Sequence, residues 1–187
     1  MDKRTASTVV INKILKSVVF AGMVGSAFVA PNLVQLGEVA LKYLDKKSGG
    51  LTNGQTLYYM RRRGLIDYDL LPDGNFILSA TELGKQRELR DRVKHLKINP
   101  PKQWDGKWRL VMFDIPENRR RARNLFSAKL RELHLYRLQK SVWVCPYACK
   151  EEIMLIRQAY GVPELSLVLA EVDSITGETE LKKHFAL

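Results

Sequence analysis

Apolar and polar positions along the chain change period several times, and each change marks an element. From Trp108 to Phe113 the residues are almost continuously apolar and β-prone, the pattern of a strand buried at the centre of a sheet. Asp114 stands where that strand leaves the sheet, and Ile115-Pro116 blocks further regular pairing. Asn118 is placed to cap a helix whose apolar positions Ala122, Leu125, Phe126, Leu130 and Leu133 recur at steps of three and four. Leu135 to Gln139 and Ser141 to Cys145 then read as two closely connected strands, stopped by Pro146. Lys150 to Tyr160 fits a second amphipathic helix, broken at Gly161-Val162-Pro163, and Leu165 to Val172 supplies a fourth apolar strand. The order β-α-β-β-α-β predicts a ferredoxin-like unit, with both helices on one face of an antiparallel sheet and the other face free to cover a partner.

The first half of the chain is patterned differently. Ser17 to Ala30 is uncharged and rich in small and apolar residues, and no charge follows until Glu38. Lys13 and Lys16 precede this run, and Ala27-Phe28-Val29-Ala30 resembles a signal-peptide cleavage site. Pro31, Asn32 and Gln35 interrupt it short of the roughly 20 apolar residues a spanning helix needs. A buried helix is therefore expected, ahead of membrane association of residues 17–37 or a cleaved signal. Leu33 to Lys47 predicts a second helix, ending at Ser48-Gly49-Gly50. Thr52 can cap a third, running to Arg63 with Leu57 and Met60 towards the core, and Gly64 stops it. Leu65 to Asp69 and Asn75 to Ser79 form a hairpin around Pro72-Asp73-Gly74, and Thr81 begins another helix. Arg87 to Lys97 is a charged helix with Leu89, Val93 and Leu96 on one side. Asn99-Pro100-Pro101 is a stiff break, which divides the chain into domains at 1–98 and 104–187 and makes the whole an α+β protein.

The helix, Gly64-Leu65-Ile66, the hairpin and Thr81-Glu82-Leu83-Gly84-Lys85 together resemble a winged helix-turn-helix. That resemblance implies a reading helix over 52–63 that enters the major groove of double-stranded DNA. Thr52, Asn53, Gln55 and Thr56 offer short donors and acceptors for base edges or phosphates, and Arg61, Arg62 and Arg63 add charge at the C-terminal end. The arginine triplet has a plainer role open to it, complementing the helix dipole in solvent.

Charge strengthens the case for an anionic partner. Lysine and arginine total 31 against 20 acidic residues, a net +11 spread over both halves, which suits nucleic acid or a membrane surface. Arg119, Arg120, Arg121, Arg123 and Arg131 lie off the apolar stripe of their helix. Most crowd its first turn, where cations oppose the dipole, so a nearby anion is expected. Cys145 and Cys149 have no histidine nearby to complete a metal site and read as free thiols of a reducing, cytoplasmic compartment. The sequence carries no Gly-rich phosphate loop, no His/Cys ligand cluster and no Ser/His pair at recognisable spacing, which removes support for most enzyme classes. His95, His134 and His184 are isolated, and Trp104 and Trp108 are expected to pack between the domains.

Phe113-Asp114-Ile115 and Gln139-Lys140-Ser141-Val142-Trp143 resemble the strand-end and hairpin motifs of the CRISPR-associated Cas-two proteins. Asp114-Ile115-Pro116-Glu117 followed by arginines, then Ser141-Val142-Trp143-Val144, looks closer to the related central domain of the PaaX-like transcriptional repressors, over about residues 104–175. The PaaX resemblance implies a homodimer joined through the ferredoxin-like domain, binding double-stranded DNA through residues 52–63 and the Arg119 to Arg123 cluster, with no cofactor. PaaX-like proteins carry a further C-terminal domain with no counterpart here, so an acyl-CoA response is not implied. The Cas-two resemblance implies instead a CRISPR-adaptation scaffold or a metal-dependent nuclease. In that case Asp114 would be the catalytic residue, holding Mg2+ with its dimer mate. Otherwise Asp114 caps the following helix or pairs with its arginines.

Overall fold

The computed structural model describes residues 3–23, 28–30, 35–36 and 54–187, in two units, Met1–Asp91 and Arg92–Leu187. The first unit holds α1 (Lys3–Met23), β1 (Phe28–Ala30), α2 (Gly54–Arg62), β2 (Ile66–Leu70) and β3 (Phe76–Ala80), and leads into α3 (Glu82–Lys94). Ile11, Ile14, Leu15 and Val18 of α1 share a core with Leu36, Leu57, Met60, Leu65, Ile66 and Leu78. The helix expected over the apolar run thus begins earlier, at Lys3, and ends at Met23. Residues 28–30 instead form a strand, with Val29 opposite Ile77 of β3. Two influences explain the change: Phe28 and Val29 favour extended backbone, and Ala30, before a proline, is driven out of the helical region. Among the described residues no helix is long and apolar enough to cross a membrane. Apart from residues 35–36, which are helical, the helix expected over Leu33 to Lys47 lies outside the described residues, as does the Thr52 cap.

The hairpin sits one residue later than its sequence reading, with Ile66 opposite Ala80 and Leu70 opposite Phe76. Asp73 holds the turn. Its carboxylate accepts from the Asn75 backbone N–H at 3.0 Å and side-chain amide at 2.8 Å, which lowers its pKa. Gly74 takes the left-handed conformation that only glycine adopts without strain. The helices expected from Thr81 and over Arg87 to Lys97 are one, α3, and Leu96 and Lys97 lie beyond its end. Thr81 caps it, accepting from the Gly84 N–H at 3.1 Å while its hydroxyl donates to the Gly64 carbonyl. Gly84 is where helix and chain touch: a Cβ there would stand 1.9 Å from the Leu65 carbonyl oxygen.

In the second unit β4 (Trp108–Phe113), α4 (Arg120–Glu132), β5 (Tyr136–Gln139), β6 (Val142–Cys145), α5 (Lys150–Tyr160), β7 (Leu167–Val172) and α6 (Glu178–Phe185) follow in the expected β-α-β-β-α-β order, with α6 added. The sheet is antiparallel in the order β5-β6-β4-β7, so β4 is central. A bulge between Arg137 and Gln139 interrupts the β5 register. Phe113 meets Phe126 of α4 edge-on at 5.2 Å, which places α4 on the face that Arg109, Val111 and Phe113 share. The opposite face is not wholly free, contrary to the sequence reading. At one end Leu181 and Phe185 of α6 cover Trp108 and Val144, and Trp104 joins them at 5.0 Å from Trp108. The two tryptophans therefore pack within this unit and not between domains; Trp108 donates to Glu178 at 3.2 Å.

Three other expectations shift. Asn118 does not cap α4; it lies in a 3-10 turn, Glu117–Arg119, that precedes the helix, and the N-cap position falls to Arg119 without a side-chain cap. Leu125 is exposed while Lys129 is buried, its ammonium held by Glu132 at 2.7 Å. Leu165 is fully exposed in a second 3-10 turn, Glu164–Ser166, because Pro163 prevents β7 from beginning earlier. α5 has its expected bounds and ends on Gly161 in the left-handed conformation. Cys145 and Cys149 are free and buried; a hydrogen bond between them lowers the Cys145 pKa and raises that of Cys149.

Arg109 is the buried cation of the sheet. Its guanidinium pairs with both oxygens of Asp105, donates to the Lys107 carbonyl at 2.9 Å and the Pro146 carbonyl at 2.8 Å, and reaches Glu171 at 3.4 Å. Hydrogen bonds from Arg109, helped by the Lys107 N–H, lower the Asp105 carboxyl from its ordinary 3.8 to about 2. Since the folded-state pKa is the lower one, this contribution is complete above about pH 4 and is lost as pH falls towards the folded value. Asp105→Asn should therefore lower the urea midpoint at neutral pH and flatten its dependence on pH below about 4. In the first unit, helix propensity alone would favour Gly84→Ala by about 1 kcal/mol. The Leu65 carbonyl reverses that sign: the substitution should destabilise by roughly 1–3 kcal/mol, read as a lower thermal midpoint.

Candidate nucleic-acid interface and the Asp114 cleft

Two basic surfaces carry the residues that the sequence singles out. On α2, Leu57 and Met60 are fully buried, as their spacing predicts, and the outward side presents Tyr58, Tyr59, Arg61 and Arg62. Tyr58 and Arg62 are four residues apart and share one helix face. The three arginines are unequal. Arg61 is tied to the hairpin, with Nε 3.1 Å from Asp67 and the guanidinium 4.2 Å over the Tyr68 ring. Arg63 lies 5.2 Å over Tyr59. Arg62 has no acidic or aromatic partner among the described residues. Thr56 is half-buried. Thr52 and Asn53 lie outside the described residues, and Gln55 is described by its helical backbone alone. The sequence reading passed over Tyr58 and Tyr59, although their place between the buried Leu57 and Met60 already sets them on the outer side.

The second surface is concave. Where β4 ends, Asp114 opens onto a cleft of about 650 Å3 between the side of α4 and the β5–β6 hairpin. Its floor includes the buried Phe113 and Ile115. The Phe113 N–H donates to the Ser141 carbonyl at 3.1 Å and the Asp114 N–H to the Ser166 carbonyl at 2.9 Å, so the backbone on both sides of the strand end is fixed. The Asp114 side chain is exposed and has neither a hydrogen bond nor an ion pair among the described residues. It neither caps a helix nor pairs with the arginines.

Of the Arg119 to Arg123 cluster, Arg120 and Arg123 line the cleft and Arg119 and Arg121 do not. Arg119 donates to the Gly161 carbonyl at 2.9 Å, tying α4 to the end of α5. The anion expected beside this helix start is in part internal: Glu117 lies 2.8 Å from Arg123 and 3.7 Å from Arg120. Arg120, Asn124, Ser127 and Arg131 recur along one side of α4 and line the cleft in turn. Arg137 and Lys140 face them from the hairpin. The sequence reading missed the hairpin cations, because the contact between hairpin and helix exists only once the sheet is formed. The polar stripe along α4 was there to be read at helical spacing. No group of three or more His, Cys, Asp or Glu able to hold a metal ion occurs among the described residues.

Comparison with curated proteins and with solved structures finds no match. Residues 101–183 match the family described as the PaaX protein central Cas2-like domain. That match runs from the loop before Trp104 to α6 and takes in the whole four-stranded sheet, both helices between its strands and the Asp114 cleft. The second unit therefore carries a domain of the kind described as the PaaX central Cas2-like domain.

Proposed function

We propose that the protein is a dimeric DNA-binding transcriptional regulator of repressor type, in which the first unit reads DNA and the ferredoxin-like second unit joins two chains. The observation that carries this reading is α2, a short helix with an apolar inner side and a Tyr58–Arg62 outer side, followed directly by the β2–β3 hairpin. That succession suits a winged helix-turn-helix, with α2 in the major groove and the hairpin against a neighbouring backbone. Arg62 is free to meet phosphate, and the net charge of +11 draws the protein towards a polyanion. The match of residues 101–183 to the central domain of PaaX proteins, a family of transcriptional regulators, supports the same reading.

A second reading, a metal-dependent nuclease or adaptation scaffold, is favoured by Asp114 alone, an exposed carboxylate at a strand end without a partner among the described residues. The two readings separate when the protein is incubated with fragmented genomic DNA, with and without Mg2+, and the retained fragments are sequenced. Enrichment of a few palindromic promoter sites in intact fragments is expected. Shortening that requires Mg2+ and disappears in Asp114→Ala would transfer the assignment to the nuclease.

The unequal arginines of α2 give a sharper test. Arg62→Gln should weaken binding to an enriched site about three- to tenfold and make the salt dependence shallower by about one counterion, without changing the thermal midpoint. Arg61→Gln, which breaks the contacts with Asp67 and Tyr68, should instead lower the thermal midpoint of the chain. Fluorescence anisotropy across a salt series and a melting curve measure both.

A further inference from the structure

The Asp114 cleft has more cationic side chains than acidic partners among the described residues. Five of its lining residues are arginine or lysine and one, Asp114, is a carboxylate. Glu117 meets Arg120 and Arg123, whereas Arg131 and Lys140, on opposite walls, have no acidic partner among the described residues. Arg137 donates to the Gln139 and Lys140 carbonyls at 3.2 Å each and lies 5.8 Å over the Trp143 ring. Its place is therefore set before any ligand arrives. Like charges held across a concave, partly apolar site repel one another and concentrate the field, an arrangement that an anion relieves. Arginine and lysine heads at fixed positions suit phosphate oxygens in particular.

The shape limits the kind of anion. A volume of about 650 Å3 falls in the ordinary range for small-molecule sites. A nucleic-acid duplex is too wide to enter a cleft of this volume between its two walls, whereas a small molecule can lie there with cations on both sides. Apolar Phe113 and Ile115 on the floor, with the short polar groups of Asn124 and Ser127 between the cations, can hold an uncharged portion of the ligand. Asp114 narrows the class again. A bare carboxylate repels phosphate, so a ligand that fits here presents a hydroxyl or amino donor at that point.

We infer that the cleft is a binding site for a phosphorylated small molecule of nucleotide size, its phosphates held by Arg131 and Lys140 with Arg120, and one of its hydroxyl or amino groups received by Asp114. All of its residues belong to the second unit, and the inference does not depend on the DNA-reading assignment proposed for the first.

The test is calorimetric titration of the full chain, without divalent cations, using ADP, pyrophosphate and adenosine as probes. ADP is expected to bind saturably at one site per chain and adenosine not to bind. Arg131→Gln combined with Lys140→Gln, both at exposed positions and with the fold checked by circular dichroism, should weaken ADP about tenfold or more. Asp114→Ala should weaken ADP while leaving pyrophosphate unchanged or tighter, because it removes a hydrogen-bond acceptor in one case and a repulsion in the other. Failure of ADP to bind, or binding unaltered in the double variant, would overturn the inference. So would tightening of both ADP and pyrophosphate by Asp114→Ala. If a short duplex binds, the double variant weakens it as much as it weakens ADP, and ADP does not compete with it, then the cleft is a nucleic-acid surface and the small-molecule assignment fails.

Discussion

Strand β4 has neighbours on every side, and that constraint organises the second unit. It pairs with β6 along one edge and β7 along the other. One face carries Val111 and Phe113 against the helix layer, and the other carries Trp108 beneath α6. A strand in this position has no slack in register, since a slip of one residue would exchange Trp108 and Leu110 for Arg109 and Val111 on the face covered by α6. Arg109 reinforces the constraint, because a buried guanidinium must keep its acceptors, and these come from the loop before β4, from β7 and from the end of β6. The position of Asp114 follows. It leaves the sheet where Phe113 is still fixed, and so it stands at the mouth of the cleft.

What was legible in the sequence divides by the range of the interaction that decides it. Bounds set by local chemistry were readable: α5 ends at Gly161, β4 runs from Trp108 to Phe113, and Thr81 caps a helix. Readings that depended on a distant partner were not. Residues 28–30 look apolar enough to continue a helix; their local preference for extended backbone becomes a strand through pairing with Phe76, Ile77 and Leu78 of β3. The Arg87 to Lys97 segment looks like a separate element until the single helix from Glu82 is seen. Trp104 and Trp108 suggested a junction between domains because α6, which covers them, comes some 70 residues later in the chain.

The candidate sites show the same division. Leu57 and Met60 marked the inner side of α2 from their spacing alone, which leaves the outer side determined. By contrast, the Arg119 to Arg123 cluster reads as one charged patch but serves three purposes: Arg119 fastens α4 to α5, Arg120 and Arg123 share Glu117 while lining the cleft, and Arg121 faces solvent. Counting positive charges along a helix would not separate these roles. Their acceptors would.

The strand order leaves the sheet with two edges, β5 and β7, that are unequally guarded. β5 is four residues long, bulged, and carries Arg137 with Lys140 just beyond it, all features that discourage another strand from pairing there. β7 is six residues long, pairs with β4 in unbroken register and has Val168 exposed, with Glu171 as its one charged side chain. Strand addition, whether in recognition or in misassembly, therefore has one address on the second unit, and it is the edge of the sheet farthest from the hairpin that walls the Asp114 cleft.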